Sequence, residues 1–579
     1  MKNRDTGKVI PFQQNASFYM KRAAKETEKN DLIKALCRYR QACASAPDDP
    51  EPRIAMSEIL SQMQLYEESN RILMLLMSEG KGTPECHFGL ACNYFGMREY
   101  DFAQDSLYDY LDIDPDGAYA FEAEDFLDFL EDDEAMFGMT GLKTDQDFDD
   151  NASCLYARNR MSAGDFAAAV GELEHQITIS PDSIPVYEQL AIAHFCGGDI
   201  ERSEKVANDI LKRMPDNVSA RCDLALCCRM RGDNDGAEEQ LRFVQSLHSD
   251  RPEETQQISV LEMELGHYEE ALETLRGILS KLPYDENILH RYAFCNYILH
   301  RDDEAQSCYQ KLLRIHPDDT VAEYYLNETK RPWENEKALR SRWNIAYQVP
   351  FAEAFRRLNT LNRRLTGEAF RLIEDWQGDK AFRKLIEWAL NLPDLRVKRS
   401  ILSLLAVIGD EEAIRLLREF LIRTDQPDNE KRVVLGMLRQ LGCPEPYMAY
   451  LNGQWISGKV HLFEFDPSVP DAYRDIMQIV MQFMVGVRDD DCVSDAKELY
   501  HRYLDGLNEK YPRITDAQCI AIAAALELMA CRENGIAVTE TEIEKAYHVT
   551  PTRLKNAVLK LTPYMKTEEE IENEIHRDL

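Results

Sequence analysis

The stretch "RCDLALCCRMRGDNDGAEEQL", residues Arg221–Leu241, places three cysteines within seven residues and follows them with the pair Gly232-Asp233. Cysteines this close together could form a metal or redox site, or they could be small apolar side chains of a helix. Successive residues of a helix are rotated by about 100°, so Cys222, Cys227 and Cys228 point in different directions and do not converge on one ion. We therefore predict structural cysteines and no metal site.

The glycine of this stretch belongs to a series with a period of 34 residues, formed by Gly164, Gly198, Gly232 and Gly266. Small residues keep the same period in two registers. The first register is Ala23, Ser57, Ala91, Ala157, Ala191, Ala225, Ser259 and Ala293. The second register, twelve residues later, is Ala35, Ser69, Ala103, Ala169, Ser203, Ala237, Ala271 and Ala305. Small residues mark where two helices approach closely, so eight copies in phase predict stacked helical hairpins.

This pattern resembles the tetratricopeptide repeat (TPR) over residues 16–330, both in its 34-residue length and in the spacing of its small residues. The resemblance implies an all-α fold, a right-handed superhelical solenoid of about eight repeats. It also implies that the first helix of each repeat lines a concave face that binds peptides or helices of partner proteins.

The inward positions of such a face define a candidate peptide-binding groove. They are occupied by Phe88, Phe95, Arg158, Met161, Glu188, Phe195, Arg229, Met263, His290 and Tyr297. Aromatic and methionine side chains favour an amphipathic helix or an apolar peptide as ligand, and we expect Arg158 and Arg229 to select acidic groups. In the alternative interpretation, several of these residues belong to the core between repeats.

The period slips by two residues around segment 121–150, which contains twelve acidic residues and one lysine. Its first part has the apolar spacing of a helix, and its second part has the composition of a loop. Two interpretations stay open: a degenerate repeat, or an exposed acidic segment that docks a basic partner.

The remaining regions are predicted as an N-terminal tail (1–15), a capping and HEAT-like helical module (331–450), a linker with a possible hairpin (451–471), a helical bundle (472–565) and an acidic tail (566–579). Residues 392–421 resemble one HEAT-type helix pair, with Gly409-Asp410 at the turn. Residues 472–565 resemble a single cyclin-like repeat of the transcription factor B family, through the Ala-rich helix and the capping pair Thr539 and Glu542.

The last two helices of this bundle also resemble a helix-turn-helix of DNA-binding proteins. The resemblance makes Arg553, Lys555 and Lys560 possible DNA contacts, although the preceding helix presents glutamates. Because a net charge of −35 repels phosphate, we restrict any nucleic-acid contact to residues 539–562.

Composition narrows the class of protein. The 579 residues contain no apolar run long enough to span a bilayer and no apolar secretion signal at the N-terminus, and the fifteen cysteines suit a reducing compartment. The sequence also lacks the phosphate-binding, nucleophile-elbow and zinc-protease motifs.

We therefore expect a cytoplasmic protein-binding adaptor or scaffold that is not an enzyme, uses no cofactor, has no membrane partner and captures a peptide or helix of a partner protein. The alternative is a TPR-containing transcriptional regulator whose C-terminal bundle contacts DNA or the transcription machinery.

Overall fold

The computed structural model describes residues 15–131, 150–249 apart from 151, 152, 155, 159, 162 and 163, 251–331, 342–366, 369–444, 447–451, 454–458, 469–484, 487–507 and 511–564. It divides into two compact units. The first unit is Met1–Met77 with Lys81–Ile401, and the second is Ser78–Gly80 with Leu402–Leu579.

The first unit consists of helices, as the sequence predicts. They are α1 (Ala16–Glu28), α2 (Leu32–Ser45), α3 (Glu51–Gln62), α4 (Tyr66–Ser78), α5 (Glu85–Met97), α6 (Tyr100–Ile113), α7 (Ala120–Glu131), α8 (Phe166–Ile179), α9 (Ile184–Cys196), α10 (Ile200–Arg213), α11 (Val218–Arg231), α12 (Asn234–Leu247), α13 (Pro252–Leu265), α14 (Tyr268–Lys281), α15 (Glu286–Ile298), α16 (Asp302–Ile315), α17 (Thr320–Glu328), α18 (Phe351–Leu365), α19 (Ala369–Gly378) and α20 (Lys380–Leu390). The boundary between the units falls inside α21 (Leu395–Ile408).

The helices pair into hairpins with the predicted 34-residue period. Repeats 1–3 are α1–α2, α3–α4 and α5–α6, and repeats 5–8 are α9–α10, α11–α12, α13–α14 and α15–α16. The described residues between 150 and 161 are helical. Together with α8, which follows them, they form repeat 4. All residues of both small-residue registers are at most 2% exposed. The close approach is direct in repeat 2, where the Ser69 hydroxyl donates to the Ser57 carbonyl at 2.8 Å.

The Gly-Asp pairs end one helix and begin the next. Gly232 has a φ of 82°, the left-handed conformation that favours glycine after a helix. Asp233 then caps α12, because its Oδ1 accepts a hydrogen bond from the Gly236 amide at 3.0 Å. Asp165 and Asp199 cap α8 and α10 in the same way. The short turn therefore satisfies backbone groups on both of its sides.

The two ends of the repeat array meet within the first unit. Helix α2 packs against α16, and Ile315 joins the hydrophobic cluster of Leu32, Leu36 and Ile59. The Arg40 guanidinium donates to the Arg314 carbonyl at 2.8 Å and also to the Ile315 carbonyl. The first repeat is thus closed against the last one.

The acidic insert 121–150 is described only in part. Helix α7 covers its first portion, as predicted, and buries Ala123 and Leu127 against α6. The predicted loop and six of the twelve acidic residues lie outside the described residues, so both interpretations of this segment stay predictions.

The second unit contains α22 (Glu411–Ile422), α23 (Asp428–Gln440), a strand pair, and the bundle α24 (Asp471–Met484), α25 (Asp490–Gly506), α26 (Asp516–Glu533), α27 (Glu540–Tyr547) and α28 (Pro551–Leu561). The strands β1 (Tyr447–Leu451) and β2 (Gln454–Gly458) form an antiparallel hairpin with Tyr447 opposite Gly458. This hairpin begins a few residues before the linker in which the sequence suggests one.

The Ala-rich helix α26 is the centre of the bundle core, and its residues Ala523, Ala524 and Ala525 are completely buried. Thr539 and Glu542 form the predicted capping box at the start of α27. His548 stands at the turn with a φ of 52°, where glycine is usual, and α28 begins directly after Thr550. The cyclin-like and HEAT-like resemblances stay predictions.

Candidate functional site

The first helices of repeats 5, 6 and 7 lie side by side, since α11 packs against both α9 and α13. The exact period brings equivalent residues next to one another along this row. We call the surface formed by Glu188, Phe195, Ser219, Asp223, Arg229 and Gln257 the first-helix face.

Asp223 is the unusual residue of this face. Its side chain is 7% exposed, and its buried Oδ2 accepts no hydrogen bond. Burial, together with the nearby Glu188 carboxylate, raises the pKa of Asp223 to about 8. A buried carboxyl normally finds a hydrogen-bond donor or a cation, because leaving it unpaired costs free energy. Asp223 therefore has an unmet requirement for a partner.

Gln257 repeats this situation one repeat later. It occupies the position of Asp223 shifted by 34 residues, on α13. Its Nε2 donates to the Ser219 hydroxyl at 3.0 Å, while its buried Oε1 has no donor. Ser219 lies one helical turn before Asp223 on α11, so Gln257 contacts the face of α11 that carries Asp223.

The charged groups around these acceptors are paired. Glu188 accepts a hydrogen bond from the Asn217 amide at 2.6 Å, and burial is the main cause that raises its pKa. Arg251, at the start of α13, donates to Glu254 at 2.7 Å. The charged groups of Glu188 and Arg251 thus have hydrogen-bond partners, whereas the buried acceptors of Asp223 and Gln257 have no donor.

Other candidate groove residues keep accessible positions. Arg229 is exposed and donates to Asn234 at 2.6 Å, and Arg158 is exposed on repeat 4. Phe195 and Met161 are half-buried, and Met161 packs on the cluster that contains Leu173 and Leu190.

Phe88 and Phe95, on repeat 3, are half-buried beneath the insert and the turn before it. The Phe88 ring stacks on Tyr119 with centroids 4.7 Å apart, and Phe95 meets Phe126 edge-on at 4.9 Å. The start of the acidic insert therefore covers part of the predicted groove. The sequence signal for this is the run of aromatic residues in 119–129.

Met263, His290 and Tyr297 are buried in the first unit, with exposures of 0%, 0% and 1%. The Trp343 ring stacks on Tyr297 at 5.0 Å and on His290 at 6.1 Å, so the segment that follows the repeats covers the first helix of repeat 8. We leave these three residues out of the binding surface. The apolar residues of "RWNIAYQV", immediately after the array, were the sequence signal for such a cap.

The basic residues proposed to contact DNA lie on α28. Arg553, Lys555 and Lys560 are exposed, and the Lys560 ammonium lies over the Tyr503 ring at 5.2 Å. Exposure is compatible with many partners, so the DNA contact stays a prediction.

All fifteen cysteines are free thiols. Cys222, Cys227 and Cys228 are buried on α11, and burial raises the pKa of both Cys222 and Cys227. Across the part of the chain that the structure describes, no three His, Cys, Asp or Glu side chains come together as ligands of one metal ion. Within the same residues, no helix is both long enough and apolar enough to cross a bilayer.

No protein-family model matches the chain. A curated relative, the TPR repeat-containing protein YvcD of Bacillus subtilis (strain 168), is 23% identical over 363 residues, which cover 58% of this chain and 73% of that protein. The solved structure of TTC0263, a TPR protein of Thermus thermophilus, is 17% identical and covers 31% of this chain and 98% of its own, with a TM-score of 0.27. The TPR domain of P58(IPK) is 13% identical and covers 67% of this chain and 98% of its own, with a TM-score of 0.21. With small residues in register, Gly-Asp turns and stacked 34-residue hairpins, the chain is a tetratricopeptide-repeat protein.

Proposed function

We propose that the chain is a protein-binding scaffold that holds a segment of a partner protein against the first-helix face of repeats 5–7. Tetratricopeptide-repeat proteins generally mediate protein–protein interactions. The observation that carries this proposal is the pair of buried acceptors, Asp223 Oδ2 and Gln257 Oε1, that have no donor. Each such atom costs about 1–3 kcal/mol, and a bound segment with hydrogen-bond donors removes that cost.

Apolar side chains on the same helices supply the second requirement of a binding surface. Phe195, at the end of α9, is half-buried, and Met230, at the end of α11, is 65% exposed. Aromatic anchors contribute strongly to binding, and a flexible thioether adapts its shape to a ligand. A segment with apolar and polar side chains therefore fits this face.

Peptide selection on the full chain tests the proposal. Peptides enriched from a random library are measured by fluorescence polarisation against the wild type, Phe195→Ala and Phe243→Ala. Phe243 is a matched control, because it lies on the second helix of repeat 6, half-buried beneath Arg221. We expect Phe195→Ala to weaken binding by roughly 10-fold or more, since an aromatic anchor is lost, and Phe243→Ala to leave it unchanged.

Two results would contradict the proposal. One is that no peptide is enriched by the folded wild type. The other is that Phe195→Ala binds the selected peptides as tightly as the wild type while circular dichroism shows that both are folded.

A further inference from the structure

We propose that Asp223 receives a cationic side chain, lysine or arginine, of the partner segment. The inference rests on the proposed function and adds the chemistry of the ligand. Two observations support the inference. The first-helix face contains buried oxygen atoms without hydrogen-bond donors, and one of them belongs to the buried carboxyl of Asp223.

When the Asp223 carboxyl is ionised, the buried groups that this face leaves open are acceptors. Asp223 Oδ2 and Gln257 Oε1 are buried without donors, whereas the Gln257 amide nitrogen donates one hydrogen bond to Ser219. A ligand that fills this place must therefore bring N–H donors. Lysine and arginine bring several donors each and no acceptor, so they can supply both open oxygens without adding an acceptor that needs a donor.

The charge of the ligand follows from the carboxyl. A neutral donor could satisfy Gln257, but a buried carboxylate is stabilised much more by a cation that also forms a hydrogen bond. Arg251, a cation that acts on Glu188, donates to Glu254, and the Glu188 carboxylate lies near Asp223. Within the described residues, no cation is among the groups that act on the Asp223 carboxyl, so a positive charge brought by the ligand would favour its ionised form.

The groups around Asp223 determine whether its carboxyl loses a proton when a ligand binds. Asp223 faces Glu188 and Cys196 from α9 and Cys222 and Cys227 on its own helix, while Arg251 and Glu254 of α13 face Glu188. With its pKa raised to about 8, the free Asp223 is mainly protonated at pH 7. An incoming lysine or arginine favours the ionised form, so binding near neutral pH releases a proton.

The net charge of the whole chain acts in the same direction. At −35, the chain attracts a positively charged segment and repels a strongly acidic one over distances near the Debye length, about 8 Å at physiological salt. Electrostatic attraction of this kind raises the association rate, and the pairing at Asp223 then slows dissociation.

A peptide library tests the inference on the full chain. Acetylated and amidated peptides of random sequence are selected on the wild type, Asp223→Asn and the control Asp216→Asn, which removes an exposed carboxyl from the turn before α11. We expect lysine or arginine to be enriched at one peptide position by the wild type and by the control, but not by Asp223→Asn.

The best peptide is then resynthesised with norleucine in place of its lysine or with citrulline in place of its arginine. We expect this change to weaken wild-type binding at least 10-fold and to leave Asp223→Asn binding unchanged, which measures the coupling between the two groups. Calorimetry at pH 7 in two buffers of different ionisation enthalpy should show proton release by the wild type and less by Asp223→Asn.

The outcomes separate the two proposals. Selection of peptides without a basic preference, or a basic preference that Asp223→Asn retains, overturns the cation inference and leaves the scaffold function standing. If the wild type selects no peptide at all, the proposed function fails and the cation inference fails with it.

Discussion

His290 illustrates how one residue can fit the pattern of a groove position and serve a different purpose. Its Nε2 lies 2.7 Å from the Asn344 carbonyl, which can only accept, so this nitrogen carries the proton. Its Nδ1, 2.8 Å from the Tyr309 hydroxyl, is then the acceptor of the neutral ring. A second proton would remove this acceptor, and burial lowers the pKa of His290 to about 4.

The contribution of His290 to the stability of the first unit should therefore fall in acid. Between the ordinary pKa of 6.5 and the folded pKa of about 4, the unfolded chain binds the proton and the folded chain does not. His290 then contributes a loss of about 3 kcal/mol in the free energy of unfolding as the pH falls from 6.5 to 4, at roughly 1.4 kcal/mol for each pKa unit. Urea unfolding of the wild type and His290→Gln at pH 7 and pH 4.5 measures this loss as the difference between the two proteins, because buried carboxyls such as Asp223 change the stability of both in the opposite direction.

Glutamine at this position supplies a donor and an acceptor without titrating. We expect His290→Gln to reduce the acid sensitivity, whereas His175→Gln, on the exposed surface of α8, should leave it as in the wild type. An equal loss of stability in all three proteins would contradict the role of His290.

The sequence predicts the position of such residues in the repeat and a capping module after the array, but the period does not predict which groove residues that module covers. Met263 and Tyr297 continue the 34-residue series of Phe195 and Arg229, and His290 continues that of Glu188. The rings of His290 and Tyr297 are covered by Trp343, which lies outside the periodic region. A pattern confined to the array carries no information on how a later segment folds back onto it.

At the scale of elements, the 34-residue period predicts where the helices and turns of the repeats lie. Small residues are buried in all eight hairpins, and the turns of the Gly-Asp series lie where the sequence places them. In repeats 4 to 6 the turn inside the hairpin has a local cause that is visible in sequence: a glycine with positive φ is followed by an aspartate that caps the second helix. Asp223 differs, because an acidic residue within a helix is usually exposed and no sequence pattern marks its burial.

Two glycines provide a direct test of the role of glycine at the helix ends. Gly232 ends α11 with a φ of 82°, whereas Gly277 lies within α14 with open space where a Cβ would stand. We expect Gly232→Ala to lower the free energy of unfolding by about 1 kcal/mol, because alanine is strained at positive φ. Gly277→Ala should raise it by up to about 1 kcal/mol, since alanine is the better helix former.

Chemical denaturation of the two variants measures both changes, and the shared substitution makes each the control of the other. A stabilising effect of Gly232→Ala, or two effects of the same sign, would contradict the assignment of the helix end at Gly232.

At the largest scale, the period predicts that hairpins stack but does not determine whether the ends of the stack meet. Curvature is the sum of small rotations between neighbouring repeats, and the insert interrupts that sum after repeat 3. The contact between repeats 1 and 8 depends on particular residues, above all Arg40 and Ile315, which no periodic rule singles out.

Removal of the Arg40 side chain should loosen this closure without unfolding the repeats. Arg40→Ala loses hydrogen bonds to the carbonyls of Arg314 and Ile315, each worth about 1 kcal/mol. We expect amide hydrogen exchange in α2 and α16 to become about 10-fold faster or more, while exchange in α11 stays unchanged. Arg38→Ala is the matched control, because Arg38 donates to Gln41 of its own helix. Equal exchange in the two variants would mean that repeat 1 is held by its apolar contacts alone, and uniform acceleration along the array would mean that closure stabilises every repeat.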